Sequence, residues 1–156
     1  MTDLPVVNGA KPERTPDTTR RHIYPCPLRW ADMDSFGHVN NVVFLRYLEQ
    51  ARVDWMFETA REAGVDKFSL GTVVARHEID YLRPLVYRAA PVQVDIWVTQ
   101  IKAASFTCAY EVHDDDAVYA TAQTRLVPYD LAAQRPRRIA PEERFYLEQY
   151  LQGEEE

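Results

Sequence analysis

The chain has 156 residues, 46% of them apolar and 27% charged, which is the composition of one globular domain. Its 24 acidic residues outnumber its 18 lysines and arginines, and the net charge of −6 argues against a nucleic-acid binder, which needs a basic surface. No stretch approaches the roughly 18 apolar residues of a membrane span; no secretion signal is seen, and two cysteines are too few for a disulfide framework, so we expect a cytoplasmic protein.

The two ends of the chain are predicted to be tails, and residues 22–150 to be one domain. Residues 1–21 carry prolines, mixed charge and few large apolar side chains. They bury too little surface to offset the entropy of ordering, so we expect a disordered tail. Residues 151–156 are predicted to be a short acidic tail.

The first half of the domain predicts an edge strand and one long helix. Residues 22–30 are rich in β-branched, aromatic and proline residues, which suits an edge strand, and a polar turn follows at 32–38. From about residue 40 to 63, apolar residues recur on one helical face: Phe44, Leu48, Ala51 and Trp55. Further apolar positions predict a helix covered on several sides: Val43, Val53 and Phe57. Gly64 is the predicted end of this helix.

The second half of the domain predicts four long strands, because apolar and polar residues alternate along it. The predicted inward faces are Val73, Ala75, His77, Ile79 and Tyr81; Val92, Val94, Ile96 and Val98; Phe106, Cys108, Tyr110 and Val112; and Val118, Ala120, Ala122, Thr124 and Leu126. A hairpin turn is predicted at residues 114–116. Pro141, followed by two acidic residues, is predicted to begin a last short helix.

These elements predict an α+β fold in which an antiparallel five-stranded sheet wraps around one long central helix. A helix that is apolar on several sides has to be covered, and the sheet is its available partner. Such a sheet leaves its edge strands open. We therefore expect self-association, as a homodimer or a dimer of dimers.

A dense polar cluster lies immediately before the predicted helix, from Arg29 to Asn41. The start of a helix presents unpaired N–H groups, which stabilise developing negative charge. An aspartate beside them has the chemistry of a general base on water or of a nucleophile on a carbonyl. The alternative is that Asp32, Asp34 or Asn40 merely caps the helix.

The sequence pattern Asp32-x-Asp34-x-x-Gly37-His38-Val39-Asn40-Asn41, followed by Tyr47-x-Glu49-x-Ala51-Arg52, resembles the 4-hydroxybenzoyl-CoA thioesterase family. Further matching blocks are Ile79-Asp80-Tyr81-Leu82-Arg83-Pro84, Ser105-Phe106 and Leu126-Val127-Pro128-Tyr129-Asp130. The resemblance runs from about residue 21 to 149. It implies the hotdog fold, hydrolysis of an acyl-CoA without a metal or redox cofactor, and active sites at a subunit boundary.

The resemblance also implies roles for single residues. Asp34 matches the catalytic carboxylate, and the backbone N–H of Asn41 matches the group that polarises the thioester carbonyl. Gly37 matches a glycine that lets the loop approach the acyl group. His38 is a weaker catalytic candidate, because one subgroup carries its histidine later, at the helix start. Its alternative role is loop structure.

The resemblance implies CoA contacts at Lys102 and Ser105. The related enzyme has three basic residues before its Ser-Phe pair, where this chain has Lys102, Ala103 and Ala104. With one basic residue left, a carrier-protein thioester stays open as the substrate. Two further functions also fit an acyl-thioester pocket: a hydratase or dehydratase acting on acyl thioesters, and a non-catalytic acyl-CoA binding module.

The other reactive residue types are predicted to be structural. Glu49 lies where another hotdog lineage has a helix carboxylate, but an ion pair with Arg52 is the simpler prediction. His77 is predicted to be a hydrogen-bonded core residue, and the histidines show no metal-ligand spacing with the cysteines. Cys26 and Cys108 have no neighbouring cation and are not expected to be nucleophiles. Residues 135–138 are predicted to be a solvated loop, with contact to phosphates on a partner subunit as the alternative.

Overall fold

The computed structural model of the protein describes residues 20–152. In chain order these residues form strand β1 (His22–Cys26), a 3₁₀ turn (Trp30–Asp32), helix α1 (Asn41–Val53), a π-helical segment (Asp54–Thr59), helix α2 (Ala60–Glu62), a second 3₁₀ turn (Lys67–Leu70), strands β2 (Thr72–Tyr81), β3 (Val92–Ile101), β4 (Phe106–His113), β5 (Val118–Asp130) and β6 (Arg135–Pro136), and helix α3 (Pro141–Glu148).

The strands form one antiparallel sheet in the order β1-β3-β4-β5-β2, with the two-residue β6 beside β5. The predicted five-stranded sheet is therefore confirmed, and β6 is an addition that the sequence did not indicate. Its residues belong to the segment that was predicted to be a solvated loop. The first strand is shorter than predicted and ends at Cys26, because Pro27 offers no N–H to a neighbouring strand.

The core lies between the sheet and the central helix, which we define as residues 41–62. The predicted inward residues of β3 and β4 are all buried, and so is the predicted apolar face of the helix: Phe44, Leu48, Ala51 and Trp55. The alternation in the sequence therefore identifies the core correctly. Burial of large apolar side chains of this kind is the dominant stabilising term in folding.

The opposite side of the central helix is not covered. Val53 and Phe57 are 37% and 36% exposed, whereas Val43 is partly buried against the core, so in the single chain the predicted cover is found at one of the three positions. The sheet reaches only one side of the helix. A π-helical segment at Asp54–Thr59, which the sequence did not indicate, interrupts the regular α-helical pattern. Gly64 ends the helix as predicted, with a φ of +82°.

The edge strand β2 pairs with β5 on one side, and no strand of residues 20–152 pairs with its other side. Val73, Val74 and Tyr81 are 39%, 43% and 45% exposed. His77 was predicted to lie in the core. It is exposed, although its Nδ1 is hydrogen-bonded to Thr124 Oγ1 at 2.8 Å, as expected of a satisfied side chain. His77 is exposed because β2 is an edge strand, and no further strand of residues 20–152 lies beside it.

Two electrostatic predictions are corrected by the structure. No ion pair between Glu49 and Arg52 is found among the described residues, because Arg52 turns into the core and its Nη1 donates to Tyr110 Oη at 3.2 Å. Arg137, predicted to be solvated, instead donates to the buried Glu143 carboxylate at 2.6 Å and 3.1 Å. That pair fixes the start of α3, since Glu143 also accepts the Ala140 N–H at 2.9 Å.

The predicted tails fall largely on residues 1–19 and 153–156, which lie outside the described residues. One residue beyond each predicted limit of the domain contacts β3. The Arg21 guanidinium lies 3.8 Å from the centroid of the Trp97 ring. The Gln152 N–H donates to the Val98 carbonyl at 2.8 Å. No helix within residues 20–152 is long and apolar enough to cross a membrane.

Candidate active site

The polar cluster folds into a closed loop, residues 33–39, which we call the Asp34 loop. Met33 and Val39 form an antiparallel bridge at its neck. The Asp34 N–H donates to the His38 carbonyl at 2.8 Å, and the Gly37 N–H donates to the Asp34 carbonyl at 3.0 Å. Gly37 has a φ of +75°, and a Cβ there would meet no atom within 4 Å. In the single chain, backbone conformation rather than lack of space therefore calls for glycine.

The Asp34 carboxylate is half-buried and keeps an oxygen available. Oδ1 accepts the Phe36 N–H at 2.9 Å, and no other side-chain hydrogen bond of Asp34 is found within residues 20–152. The helix cap is Asn40, whose Oδ1 accepts the Val42 N–H at 2.9 Å. Of the three capping candidates, Asn40 is thus the one that caps, and Asp34 is left free of that role.

The central helix presents one free donor next to this loop. Asn41 is the first helical residue, so its N–H has no partner within the helix. The Val42 and Val43 N–H groups are taken by Asn40, and no acceptor for the Asn41 N–H is found in the described part of the chain. Tyr81 Oη donates to the Asn41 carbonyl at 2.8 Å and so anchors the first residue of the helix. The arrangement is a helix N-terminus with one N–H open to a ligand.

Asp34, His38 and Asn41 line one surface cavity of about 310 Å³. Its remaining walls are mostly apolar: Val39, Phe44, Tyr81, Leu82, Arg83, Pro84 and Leu85. The Val39 N–H donates to the Leu85 carbonyl at 2.7 Å and holds the loop against the segment that follows β2. A carboxylate, a free N–H and an apolar wall meeting in one cavity suit an acyl substrate with a polarised carbonyl.

The sequence matched the block 79–84 but assigned it no role. Tyr81 lies in this cavity and contacts Phe44 edge-on, with ring centroids 5.4 Å apart. Periodicity placed Tyr81 and Phe44 on inward faces without indicating that the two faces meet. The sequence indicated only that an aromatic residue ends a predicted strand. The structure shows that this end lies beside the start of the helix.

Lys102 and Ser105 lie at the other end of the sheet from the Asp34 loop. They form the β3–β4 turn, in which the Lys102 N–H donates to the Ser105 carbonyl at 2.8 Å. The pairing of β4 with β5, and of β5 with β2, places this turn at the same height in the sheet as Val73. The Asp34 cavity lies beside Tyr81, at the other end of β2. Eight residues of strand separate the two levels, roughly 27 Å at the usual rise. A single chain therefore does not bring the predicted CoA contacts to the predicted catalytic residues.

Both cysteines are buried, and the predicted lack of a neighbouring cation is wrong for Cys108, which lies near Arg52. Burial, and then the charge of Asp32, raises the pKa of the Cys26 thiol to about 12. Burial also raises the pKa of Cys108, even though Arg52 lies near enough to oppose the shift. Thiols held protonated in this way are poor nucleophiles. No three histidine, cysteine, aspartate or glutamate side chains form a metal-binding group within the described residues.

Comparison with known proteins identifies a family and a fold. The model of the thioesterase-like superfamily matches residues 28–148. Among curated proteins, none matches the chain. A predicted thioesterase from Bacillus stearothermophilus is similar over 86% of this chain and 98% of its own, with a TM-score of 0.76 at 22% identity. This likeness confirms the curled sheet and central helix of the predicted hotdog fold.

Two other solved structures have higher sequence identity. The PA2801 protein from Pseudomonas aeruginosa, to which a thioesterase function is ascribed, is 32% identical over 80% of this chain and 95% of its own, with a TM-score of 0.69. A thioesterase from Thermus thermophilus, solved in complex with coenzyme A and zinc, is 28% identical over 82% of this chain and 93% of its own, with a TM-score of 0.67.

Proposed function

Because the chain belongs to the thioesterase-like superfamily, we propose that it is an acyl-CoA thioesterase, which hydrolyses a thioester to the free acid and CoA. One observation carries the proposal: the Asp34 carboxylate and the free Asn41 N–H line the same cavity at the start of the central helix. The CoA complex of the Thermus thermophilus relative supports a CoA ester as substrate. The finer assignment to the 4-hydroxybenzoyl-CoA family is part of this proposal.

In the proposed reaction, the thioester carbonyl oxygen accepts the Asn41 N–H, which polarises the carbonyl. Asp34 takes a proton from water as the water oxygen attacks the carbonyl carbon. The resulting oxyanion stays hydrogen-bonded to Asn41, where the helix terminus favours negative charge. When the C–S bond breaks, the protonated Asp34 returns its proton to the leaving sulfur. No cofactor beyond the CoA part of the substrate is required.

The second route uses Asp34 as a nucleophile. Its free oxygen attacks the carbonyl carbon, the thiolate leaves, and water then hydrolyses the mixed anhydride. A single turnover in ¹⁸O-labelled water, with enzyme in excess, tests for the anhydride. Label in the released acid is the result expected of the base route. Attack of water on the acyl carbonyl of an anhydride gives the same label, so a rapid-quench search for an acyl-enzyme accompanies the experiment. Label in the Asp34 carboxylate, with an unlabelled acid, supports the anhydride.

Gly37 and His38 contribute through the loop in this proposal. The positive φ of Gly37 lets the chain turn so that the Asp34 N–H meets the His38 carbonyl. The His38 side chain is exposed at the cavity, where it contacts the acyl group or the thioester rather than acting on water.

A second copy of the chain completes the proposed site. The free edge of β2 is ten residues long, and an open edge of this length pairs readily with another strand. Antiparallel pairing of two β2 strands around a two-fold axis puts the Tyr81 end of one beside the Thr72 end of the other. The Asp34 loop of one copy then lies at the sheet end that carries Lys102 and Ser105 in the other. This arrangement supports the assignment of those two residues to CoA binding.

A panel of thioesters tests the activity. Release of free thiol is measured with acyl-CoA, the matching acyl-pantetheine and the matching acyl-carrier protein, and hydration is followed with an enoyl-CoA. We expect release from acyl-CoA. Preference for the carrier protein would favour that substrate instead, and hydration without thiol release would favour a hydratase. Tight acyl-CoA binding without turnover would leave a non-catalytic binding module. A cytoplasmic location stays a prediction.

A further inference from the structure

The Asp34 loop is attached to the body of the protein by a hydrogen bond between Asp32 and Tyr47. We propose that these two are positioning residues, whose hydrogen bond sets the distance between the Asp34 carboxylate and the Asn41 N–H. The proposal rests on the function proposed above. Neither residue lines the cavity, so neither touches the reacting atoms. They act through the loop.

Asp32 holds both ends of the loop. Its Oδ2 accepts the Tyr47 hydroxyl at 2.7 Å and the Arg29 N–H at 2.9 Å. Its backbone carbonyl accepts the Asn40 N–H at 2.9 Å. One residue thus connects the chain entering the loop, the capping residue that leaves it, and the side of the helix. Asn41 follows that capping residue directly, so a shift of Asp32 moves the carboxylate and the free N–H relative to each other.

Tyr47 is a rigid anchor for this connection. Its side chain is buried on α1, and only 5% of the residue is exposed. Burial, and then the hydrogen bond to Asp32, raises the pKa of Tyr47 well above its ordinary value, so the hydroxyl remains a donor at any working pH. Asp32 is a charged acceptor, and hydrogen bonds to charged groups are stronger than those between neutral groups.

Aromatic rings connect Tyr47 to the other half of the proposed site, the start of the helix at Asn41. The Tyr47 and Phe44 rings lie 6.0 Å apart, and Phe44 contacts Tyr81, which donates to the Asn41 carbonyl. One group of packed aromatic side chains therefore contacts both the connection to the Asp34 loop and the residue that carries the free N–H. A packed core resists small displacements, so a site built on it keeps its geometry while the exposed loop is solvated.

The test removes only the hydroxyl. In Tyr47→Phe the ring stays and the loop loses its anchor; we expect kcat to fall about tenfold, with KM changed by less than about twofold, because small misplacements cost catalysis more than binding. The matched control is Tyr146→Phe, whose buried hydroxyl donates to the Trp55 carbonyl at 2.8 Å, away from the loop. It loses a buried hydrogen bond to a neutral acceptor, and we expect a fall in Tm with an unchanged kcat.

Two variants at Asp32 test whether kcat depends on the hydrogen-bond acceptor that holds the loop or on the negative charge of Asp32. The amide oxygen of Asp32→Asn still accepts from Tyr47 and Arg29, so we expect it to keep most of the kcat. Asp32→Ala has no acceptor and is expected to be as slow as Tyr47→Phe. The pH dependence of kcat/KM should keep its midpoint in Tyr47→Phe, because this variant removes no charge near Asp34.

Three outcomes would overturn the positioning role. They are a wild-type kcat in Tyr47→Phe, an equal loss of kcat in Tyr146→Phe, or an Asp32→Asn enzyme as slow as Asp32→Ala. These outcomes are separate from failure of the proposed function, which would appear as no thiol release from any thioester by the wild-type protein, and from failure of the catalytic assignment, which would appear as an active Asp34→Asn enzyme. An inactive Asp34→Asn beside a fully active Tyr47→Phe would remove this inference and leave the catalytic assignment standing.

Discussion

Replacing Asp34 with asparagine separates its chemical role from its structural one. The structure predicts a small effect on folding, because the amide oxygen of the introduced asparagine still accepts the Phe36 N–H that Asp34 Oδ1 accepts at 2.9 Å. The helix cap is provided by Asn40 and is untouched. We therefore expect the free energy of unfolding to change by less than about 1 kcal/mol, the typical value of one turn or cap hydrogen bond.

The effect on rate is expected to be much larger. Asparagine neither accepts a proton from water nor attacks a carbonyl, and loss of such a group costs at least about a hundredfold in kcat. A hundredfold corresponds to about 2.7 kcal/mol of transition-state stabilisation. The Asn41 N–H remains in place, so residual turnover and acyl-CoA binding should persist.

The assay is thiol release at saturating acyl-CoA, with binding of the substrate measured calorimetrically on the same preparation. Two controls accompany it. Asp130→Asn alters a similar turn, in which Oδ1 accepts the Ala133 N–H at 2.9 Å. Glu49→Gln alters the carboxylate of the central helix. Both should keep most of the activity.

The reasoning would be refuted by an active Asp34→Asn enzyme beside a folded but inactive Glu49→Gln enzyme. Chemistry would then belong to the helix carboxylate. A loss of activity in Asp34→Asn that is accompanied by unfolding in circular dichroism would also contradict it, since the structure gives this side chain only one local hydrogen bond to lose.

Three further predictions concern the contacts of single residues and the assembly. Lys102→Ala should raise KM for CoA esters several-fold at an unchanged kcat in steady-state kinetics, because one exposed phosphate contact is worth about 1 kcal/mol; equal kinetics would exclude it from CoA binding. Arg137→Ala should lower the free energy of unfolding in urea by about 3 kcal/mol, because it leaves the fully buried Glu143 unpaired; Arg138→Ala is the control, and equal effects of the two would contradict this. Light scattering should give a dimer or tetramer, and a fully active monomer of 18.1 kDa would contradict the shared site.

Local patterns in the sequence determined the elements and most of the core. Alternation is a property of neighbouring residues, so it identified the inward faces of β3 and β4 without knowledge of the fold. The helical spacing of Phe44, Leu48, Ala51 and Trp55 did the same for the central helix. The ordered block from Asp32 to Arg52 indicated a thioesterase-like protein and the position of the proposed site, because the residues that build the loop and the helix start are contiguous in the chain.

Only the tertiary structure decided what these patterns leave open. Three neighbouring side chains suit a helix cap equally well by composition, and backbone geometry selects Asn40. Spacing allows Glu49 and Arg52 to pair, whereas the buried Tyr110 hydroxyl provides Arg52 with a partner in the core. The physical reason is that a side chain bonds to whatever the fold brings to it, and periodicity carries no information about groups distant in sequence.

Strand order is the other quantity that sequence periodicity does not contain. Periodicity shows which face of a strand is buried but not which strand lies at the edge. His77 was therefore expected in the core, whereas it is exposed on β2. The same strand order puts Lys102 and Asp34 of one chain at opposite ends of the sheet. Contiguous motifs predict each half of the proposed site, and only long-range pairing of strands determines whether the two halves meet within one chain or across two.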